Sequence, residues 1–322
     1  MLTKFYMDSD FLESECFVNS SSASCHRSFL KNWEDYGVFV YSKNESKSIP
    51  DAVKSLPQKY RKMWEAAFQY YAKVEVDVSD FKKDLNFNVL IDNHIYYKTF
   101  MVEDTTGMEI CGDEGMLFDA ASSYEVVSAS VFSESENFKK SEEISVKDID
   151  RGSRIDSVWS DYFLTLTNIY DKIVIVDNYF IKRLCSSNIN KNAFKSFIKK
   201  LINSDLKYDI TIYSRDSYEG KCFSNDAESI IESIIQTPVM RKKISKVTIC
   251  GINSEFFSAT QIAHDRYVRV GEFVCQLGVG MQIFEEEITG SCAVSIKRAS
   301  VTNAKKIERE LSRSCKWKKV ID

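Results

Sequence analysis

The feature that most constrains this chain is an alternation, in its second half, of short β-branched runs with amphipathic helical stretches. Lys172-Ile173-Val174-Ile175-Val176-Asp177 is an apolar run of strand length. Between Asn192 and Leu206, residues Phe194, Phe197, Ile198, Leu201 and Ile202 recur at helical spacing, with Lys195, Lys199 and Lys200 off that face. Asp209 to Tyr213 reads as the next strand. Asp226 to Gln236 reads as a second helix, capped by Asn225 and answered by Glu228 three residues later. Val247 to Cys250 supplies a third strand. Strand, helix, strand, helix, strand is the signature of parallel crossovers. Tyr267 to Val270, Phe273 to Leu277 and Cys292 to Ile296 then follow as closely spaced strands, and Ala304, Ile307 and Leu311 mark a last helix.

The first half carries the same alternation less regularly. Lys4 to Met7 and Gly37 to Tyr41 read as strands, and Gln58 to Lys73 as a helix with Trp64, Phe68 and Tyr71 on one side. Phe87 to Asp92 is expected to be a strand, Met116 to Ala121 helical, and Tyr124 to Val127 extended. The chain of 322 residues is long enough for two domains. Polar residues from Ser133 to Asp150, followed by Gly152 and Ser153, predict a junction. The expected organisation is an α/β protein of two modules: a domain over 1–135, a linker over 136–155, and a domain over 156–322 whose mixed sheet is flanked by helices. Charge divides the same way. Residues 1–150 hold 16 basic and 27 acidic side chains, a net of −11, while 151–322 net +7, which together give −4 for the chain. The acidic half suits a metal, and the basic half suits phosphate; ordinary solvated faces are the plainer reading of both.

Several function classes lack their motifs. The sequence has no Gly-x-x-x-x-Gly-Lys-Ser/Thr phosphate loop and no Gly-x-Ser-x-Gly elbow. Nine scattered cysteines without a Cys-x-x-Cys point to reduced, mostly buried thiols rather than a disulfide or zinc framework. Asp8, Asp10 and Glu13 interrupt any apolar leader, and no apolar run approaches the ~20 residues that span a bilayer, so a cytoplasmic protein is expected. His26 and His94 are isolated and read as structural or surface residues.

The most distinctive segment is Ala263-His264-Asp265-Arg266-Tyr267-Val268-Arg269-Val270-Gly271, with Gly278-Val279-Gly280 and Phe284 beyond it. A histidine beside guanidinium groups at a strand start suits phosphate, which arginine grips bidentately. Together with Asp177-Asn178-Tyr179 after one strand and Ser214-Arg215 after another, this segment resembles the C-terminal phospholipase-D-like domain of microtubule-interacting-and-trafficking (MIT) proteins and related bacterial domains, over roughly residues 155–312. The resemblance implies a phospholipase-D-like mixed sheet and a homodimer built around a dyad. It also exposes a departure. The catalytic pattern of that family is His-x-Lys, four residues, then Asp, whereas Arg266 stands at the lysine position and Gly271 at the aspartate. Arginine does not stand in for lysine chemistry. The resemblance therefore implies recognition of phosphate, a lipid headgroup or nucleic acid by His264, Arg266, Arg269 and Arg215 rather than ester cleavage.

Carboxylates in the first half fall after candidate strands and on helices: Asp8, Asp10, Glu65, Asp92, Asp104, Asp113, Glu114 and Asp119. Acids at the ends of parallel strands can converge on Mg²⁺ or Mn²⁺. This layout resembles the PIN-like nucleases, with Asp8, Glu65, Asp104 and Asp119 nearest to their catalytic acids and Asp8, Asp104 and Asp119 as the implied metal ligands. Solvated acids at helix starts are the alternative. The leading expectation is a metal-dependent nuclease-like protein, of the kind found in phage defence, whose C-terminal domain binds nucleic acid or senses a trigger. Against it stand a non-enzymatic interaction protein that binds acidic lipid or a protein partner, and a residual phosphodiesterase at His264.

Overall fold

The computed structural model describes residues 1–19, 22–43, 48–78, 81, 85–186, 192–253, 256–257 and 266–322. The chain is an α/β protein of two compact units, Met1–Glu143 and Ile144–Asp322. The segment 136–155, expected as a linker, begins with a helix, Glu136–Val146.

In the first unit six strands form one sheet: β1 Thr3–Met7, β2 Gly37–Ser42, β3 Lys73–Val76, β4 Thr99–Val102, β5 Met116–Asp119 and β6 Tyr124–Ser128, in the order β3-β2-β1-β4-β6-β5. All neighbours are parallel except β5, which runs antiparallel to β6 at the edge. The central strands are apolar on both faces, as helix-covered parallel strands must be. Along β1, Phe5 and Met7 enter one core with Trp33 and Trp64, while Tyr6 enters the other with Tyr97 and Phe100. The helices Ala23–Tyr36 and Gln58–Tyr70 supply the tryptophans.

Two of the expected elements change type. Phe87 to Asp92 is helical, as Phe87–Leu90 and then a 3₁₀ turn, because the Asn86 side chain accepts the Asn88 N–H and caps it. Met116–Asp119 is a strand rather than a helix: left-handed Gly115 ends the preceding turn and the residues pair with β6. Both are short apolar runs whose type periodicity alone does not decide.

The second unit has a seven-stranded sheet: β7 Lys172–Val176, β8 Tyr208–Arg215, β11 Ile244–Ile252, β12 Tyr267–Val270, β13 Phe273–Leu277, β14 Val294–Arg298 and β15 Cys315–Ile321. A separate two-residue hairpin joins β9 Ser217–Tyr218 to β10 Lys221–Cys222. The order β14-β13-β12-β7-β8-β11-β15 keeps β7, β8 and β11 parallel, with an antiparallel meander on one side and antiparallel β15 on the other. The helix Ala193–Leu201 starts at Asn192, whose side chain accepts the Phe194 and Lys195 N–H groups, and it ends short of Leu206. The helix Ser224–Ile235 includes Asn225 rather than being capped by it. The late strand begins at Val294, two residues after its expected start. Strand β15 was not anticipated. Its Trp317 lies so close to Gly251 that a Cβ there would come within 2.1 Å of the indole.

His26 is structural, as expected, and its chemistry can be stated. The indole N–H of Trp64 donates to its Nδ1 at 2.9 Å, so the ring proton sits on Nε2 and is donated to the Phe17 carbonyl at 2.9 Å. Burial holds the imidazole below its ordinary pKa. The unfolded chain therefore takes up this proton first. The stability contributed is complete above the unfolded value of about 6.5 and is lost as pH falls through it toward the depressed folded value. Denaturant midpoints measured from pH 7.5 down to 5 should show the advantage of the native chain over His26→Gln shrinking with acidity.

Candidate phosphate-binding site

The acids of the first unit do not form one cluster. The strand order reverses direction beside β1, so the crevice where ligands bind in open α/β sheets lies at the C-terminal ends of β1 and β4. Asp8 follows β1 directly and is 4% exposed. Its N–H donates to Met101 O at 3.0 Å, and its Oδ1 accepts the Asp10 N–H at 3.1 Å, capping the turn Ser9–Glu13. Asp104 opens the helix Asp104–Cys111 just after β4, and its Oδ1 accepts the Ser130 N–H at 2.8 Å. Its field also reaches Cys16, whose thiol is pushed up to about 12 by burial and then by Asp104 and Cys25.

Asp119 is elsewhere. It pairs with Tyr124 at the start of β6, the end of the sheet opposite Asp8 and Asp104. There Ser122 donates both its N–H and its hydroxyl to Oδ2, each at 2.7 Å, and these bonds hold the carboxyl below its usual range. Glu65 is exposed on the helix Gln58–Tyr70, next to buried Trp64. Among the described residues, no three His, Cys, Asp or Glu side chains gather as a metal cluster. The metal set drawn from Asp8, Asp104 and Asp119 thus reduces to the first two, because an antiparallel edge strand carries the third away.

In the second unit the geometry concentrates cations. β7 ends at Val176, and buried Asp177 follows, 1% exposed. Its Oδ1 accepts the Tyr179 N–H at 2.9 Å and its Oδ2 the Met281 N–H at 3.0 Å. Ser214, near the end of β8, donates its hydroxyl to Asn178 O at 3.1 Å and accepts the Ile181 N–H at 3.1 Å, fixing the turn after β7. Tyr218 also donates its hydroxyl to Asn178 O.

On this frame the two tyrosine rings lie 6.0 Å apart at 29°. Arg266 lies 5.0 Å and Arg183 5.6 Å from the Tyr179 centroid; Arg215 and Lys182 each lie 5.2 Å from that of Tyr218. Backbone carbonyls hold two of the guanidinium groups: Arg183 donates to Val279 O at 3.2 Å and Arg266 to Gly278 O at 3.4 Å. Among the described residues, the buried Nε atoms of Arg215 and Arg266 have no hydrogen-bond partner. Guanidinium groups resting on aromatic faces are a chemistry suited to oxyanions.

Arg269 takes no part. It lies further along β12, where its Nε and Nη2 donate to both oxygens of Glu308 at 2.6 and 2.7 Å and its Nη1 to Gly271 O at 2.5 Å. It is a structural clamp, so its expected place among the phosphate ligands is corrected. His264 and Asp265 lie outside the described residues. The reading of the sequence overlooked Arg183, Lys182 and Tyr218. Arg183 stands four residues after Tyr179, one helical turn beyond the Asp-x-Tyr motif, and that spacing was the available signal. For Tyr218, brought in by a two-residue hairpin, the sequence carries no comparable sign.

No protein-family model matches this chain, and no curated protein matches it. No helix among the described residues is long and apolar enough to cross a membrane.

Gly280 joins the carboxylate to the cations. It has φ +64°, and a Cβ there would lie 2.3 Å from Asp177 Oδ2 and 2.9 Å from Arg266 Cδ. Gly280→Ala is expected to destabilise the protein by about 2 kcal/mol or more, from left-handed strain plus the clash. Gly290→Ala, with nothing within 4 Å of its Cβ, should be neutral. Urea denaturation of both variants measures the contrast.

Proposed function

We propose that this protein binds the phosphate groups of nucleic acid through Arg215, Arg266 and Arg183. The observation that carries the reading is the pair of guanidinium groups, Arg215 and Arg266, each seated on a tyrosine ring. The net charge of +7 over residues 151–322 supports it, because a polyanion is drawn to such a surface before it makes contact. Nine free thiols suit a reducing compartment such as the cytoplasm. Fluorescence anisotropy with a labelled oligonucleotide tests the proposal. Binding should weaken steeply with salt, and the double substitution Arg215→Ala, Arg266→Ala should weaken it at least tenfold and flatten the salt slope by about 1 to 2. Lys306→Ala, an exposed control, should leave the slope within about one unit of the native value. Binding only to anionic vesicles would overturn the reading in favour of a lipid-binding interaction protein.

A second reading, hydrolysis of the bound strand as in a nuclease-type defence effector, is favoured by one observation: Asp8 and Asp104 flank the same crevice at the ends of β1 and β4. Two carboxylates suit Mg²⁺ or Mn²⁺ when water and substrate phosphate complete the shell. Such a metal supplies an activated water and charge stabilisation. Mn²⁺-dependent cleavage should then disappear in Asp8→Asn and persist in Asp119→Asn, whose carboxylate is at the opposite end of the sheet. Equal loss in both, or retention in both, would sink this second reading.

A further inference from the structure

Beside Arg266 a groove of about 260 Å³ opens where β13 ends and β14 begins. Gln276, Leu277, Gly278, Val294 and Ser295 line it together with Arg266. The register places Gln276 opposite Ser295 and Leu277 opposite Val294. An amide and a hydroxyl therefore stand side by side on one face of the sheet, Leu277 and Val294 are buried toward the other, and Gly278 with exposed Ala293 gives the groove its apolar part. Tyr179, the ring that Arg266 rests on, remains 36% exposed.

We infer that this site takes an unpaired nucleotide, with its phosphate on Arg266, its base in the adjoining groove and the Gln276 amide against the base edge. The inference rests on the phosphate reading above and narrows its ligand. A nucleobase has flat apolar faces and a polar edge, which matches a groove lined in part by Gly278 and the Ala293 methyl group and in part by an amide and a hydroxyl. A side-chain amide offers both donors and an acceptor, as edge recognition requires. A polyol headgroup, polar around its whole rim, would leave hydroxyls against the Ala293 methyl group. A duplex keeps its bases stacked inside and cannot present one to a groove of this size without flipping it out. The exposed ring of Tyr179, with guanidinium groups beside it, suits stacking of a neighbouring base in a single strand.

Anisotropy measurements on the full chain with four probes test this: a short single strand, the same strand made abasic, a duplex of the same sequence, and vesicles containing a phosphoinositide. The single strand should bind roughly tenfold more tightly than the abasic strand and the duplex. Gln276→Ala should remove most of that advantage while abasic binding stays unchanged, whereas Tyr179→Ala, which also unseats Arg266, should weaken both strands and the intact one more, and Tyr179→Phe should restore both. Equal affinity for the intact and abasic strands would overturn the base groove but leave phosphate binding standing. Preference for the duplex would do the same. Failure of every strand to bind, or preference for vesicles, would overturn both.

Discussion

The second unit is organised around one buried carboxylate. Asp177 ends β7, and its two oxygens point to two different parts of the chain: the Tyr179 N–H in its own turn and the Met281 N–H, 104 residues later. Taking a carboxylate out of water is costly unless hydrogen bonds replace those of the solvent. Here two backbone N–H groups do so, with Arg183 at 3.9 Å. The result is more than local. The same bonds fix the Tyr179 ring and hold the loop after β13, whose Gly278 and Val279 carbonyls receive Arg266 and Arg183. Arg266 is thus placed by a peptide oxygen and an aromatic face, which orient a cation without neutralising it, whereas Arg183 also faces the Asp177 carboxylate.

The first unit has a counterpart in Glu125. Fully buried in β6, it accepts the hydroxyl of Thr99 at 2.7 Å, the hydroxyl of Ser135, and the N–H groups of Glu136 and Asn137 at 2.9 and 3.3 Å. Burial still holds its pKa above the ordinary carboxylate range. These bonds satisfy the exposed donors at the start of Glu136–Val146 and fasten that helix to the sheet. This is why the beginning of the polar segment expected as a linker over 136–155 is helical and, up to Glu143, falls within the first unit.

The parts of the fold that could be read in the sequence share a cause. Runs such as Ile173-Val174-Ile175-Val176 and faces such as Phe194, Phe197, Ile198 and Leu201 carry their period within themselves. Phe87 to Leu90 and Met116 to Asp119 do not; their type was decided by the Asn86 cap and by pairing with β6. The site divides likewise. Arg215 and Arg266 could be read because each sits at a strand end. The exclusion of Arg269 depended on Glu308, a helical residue 39 positions away that no local pattern connects to it. Asp8 follows a strand, as the sequence suggested, whereas the strand before Asp104, β4, was not read from the sequence. Asp119 was misplaced because the direction of β5 is set by its partner and not by its own four residues.

The short strand β12 carries an arginine just before its start and another within it, and the two are treated oppositely. Arg269 is neutralised by the bidentate Glu308, whereas Arg266 is stacked on a tyrosine and, among the described residues, tethered to a carbonyl. The strand is therefore electrically lopsided, mute at one end and broadcasting at the other. An approaching polyanion would feel a torque as well as a pull, and would tend to arrive with its charged backbone already turned toward that lip of the sheet.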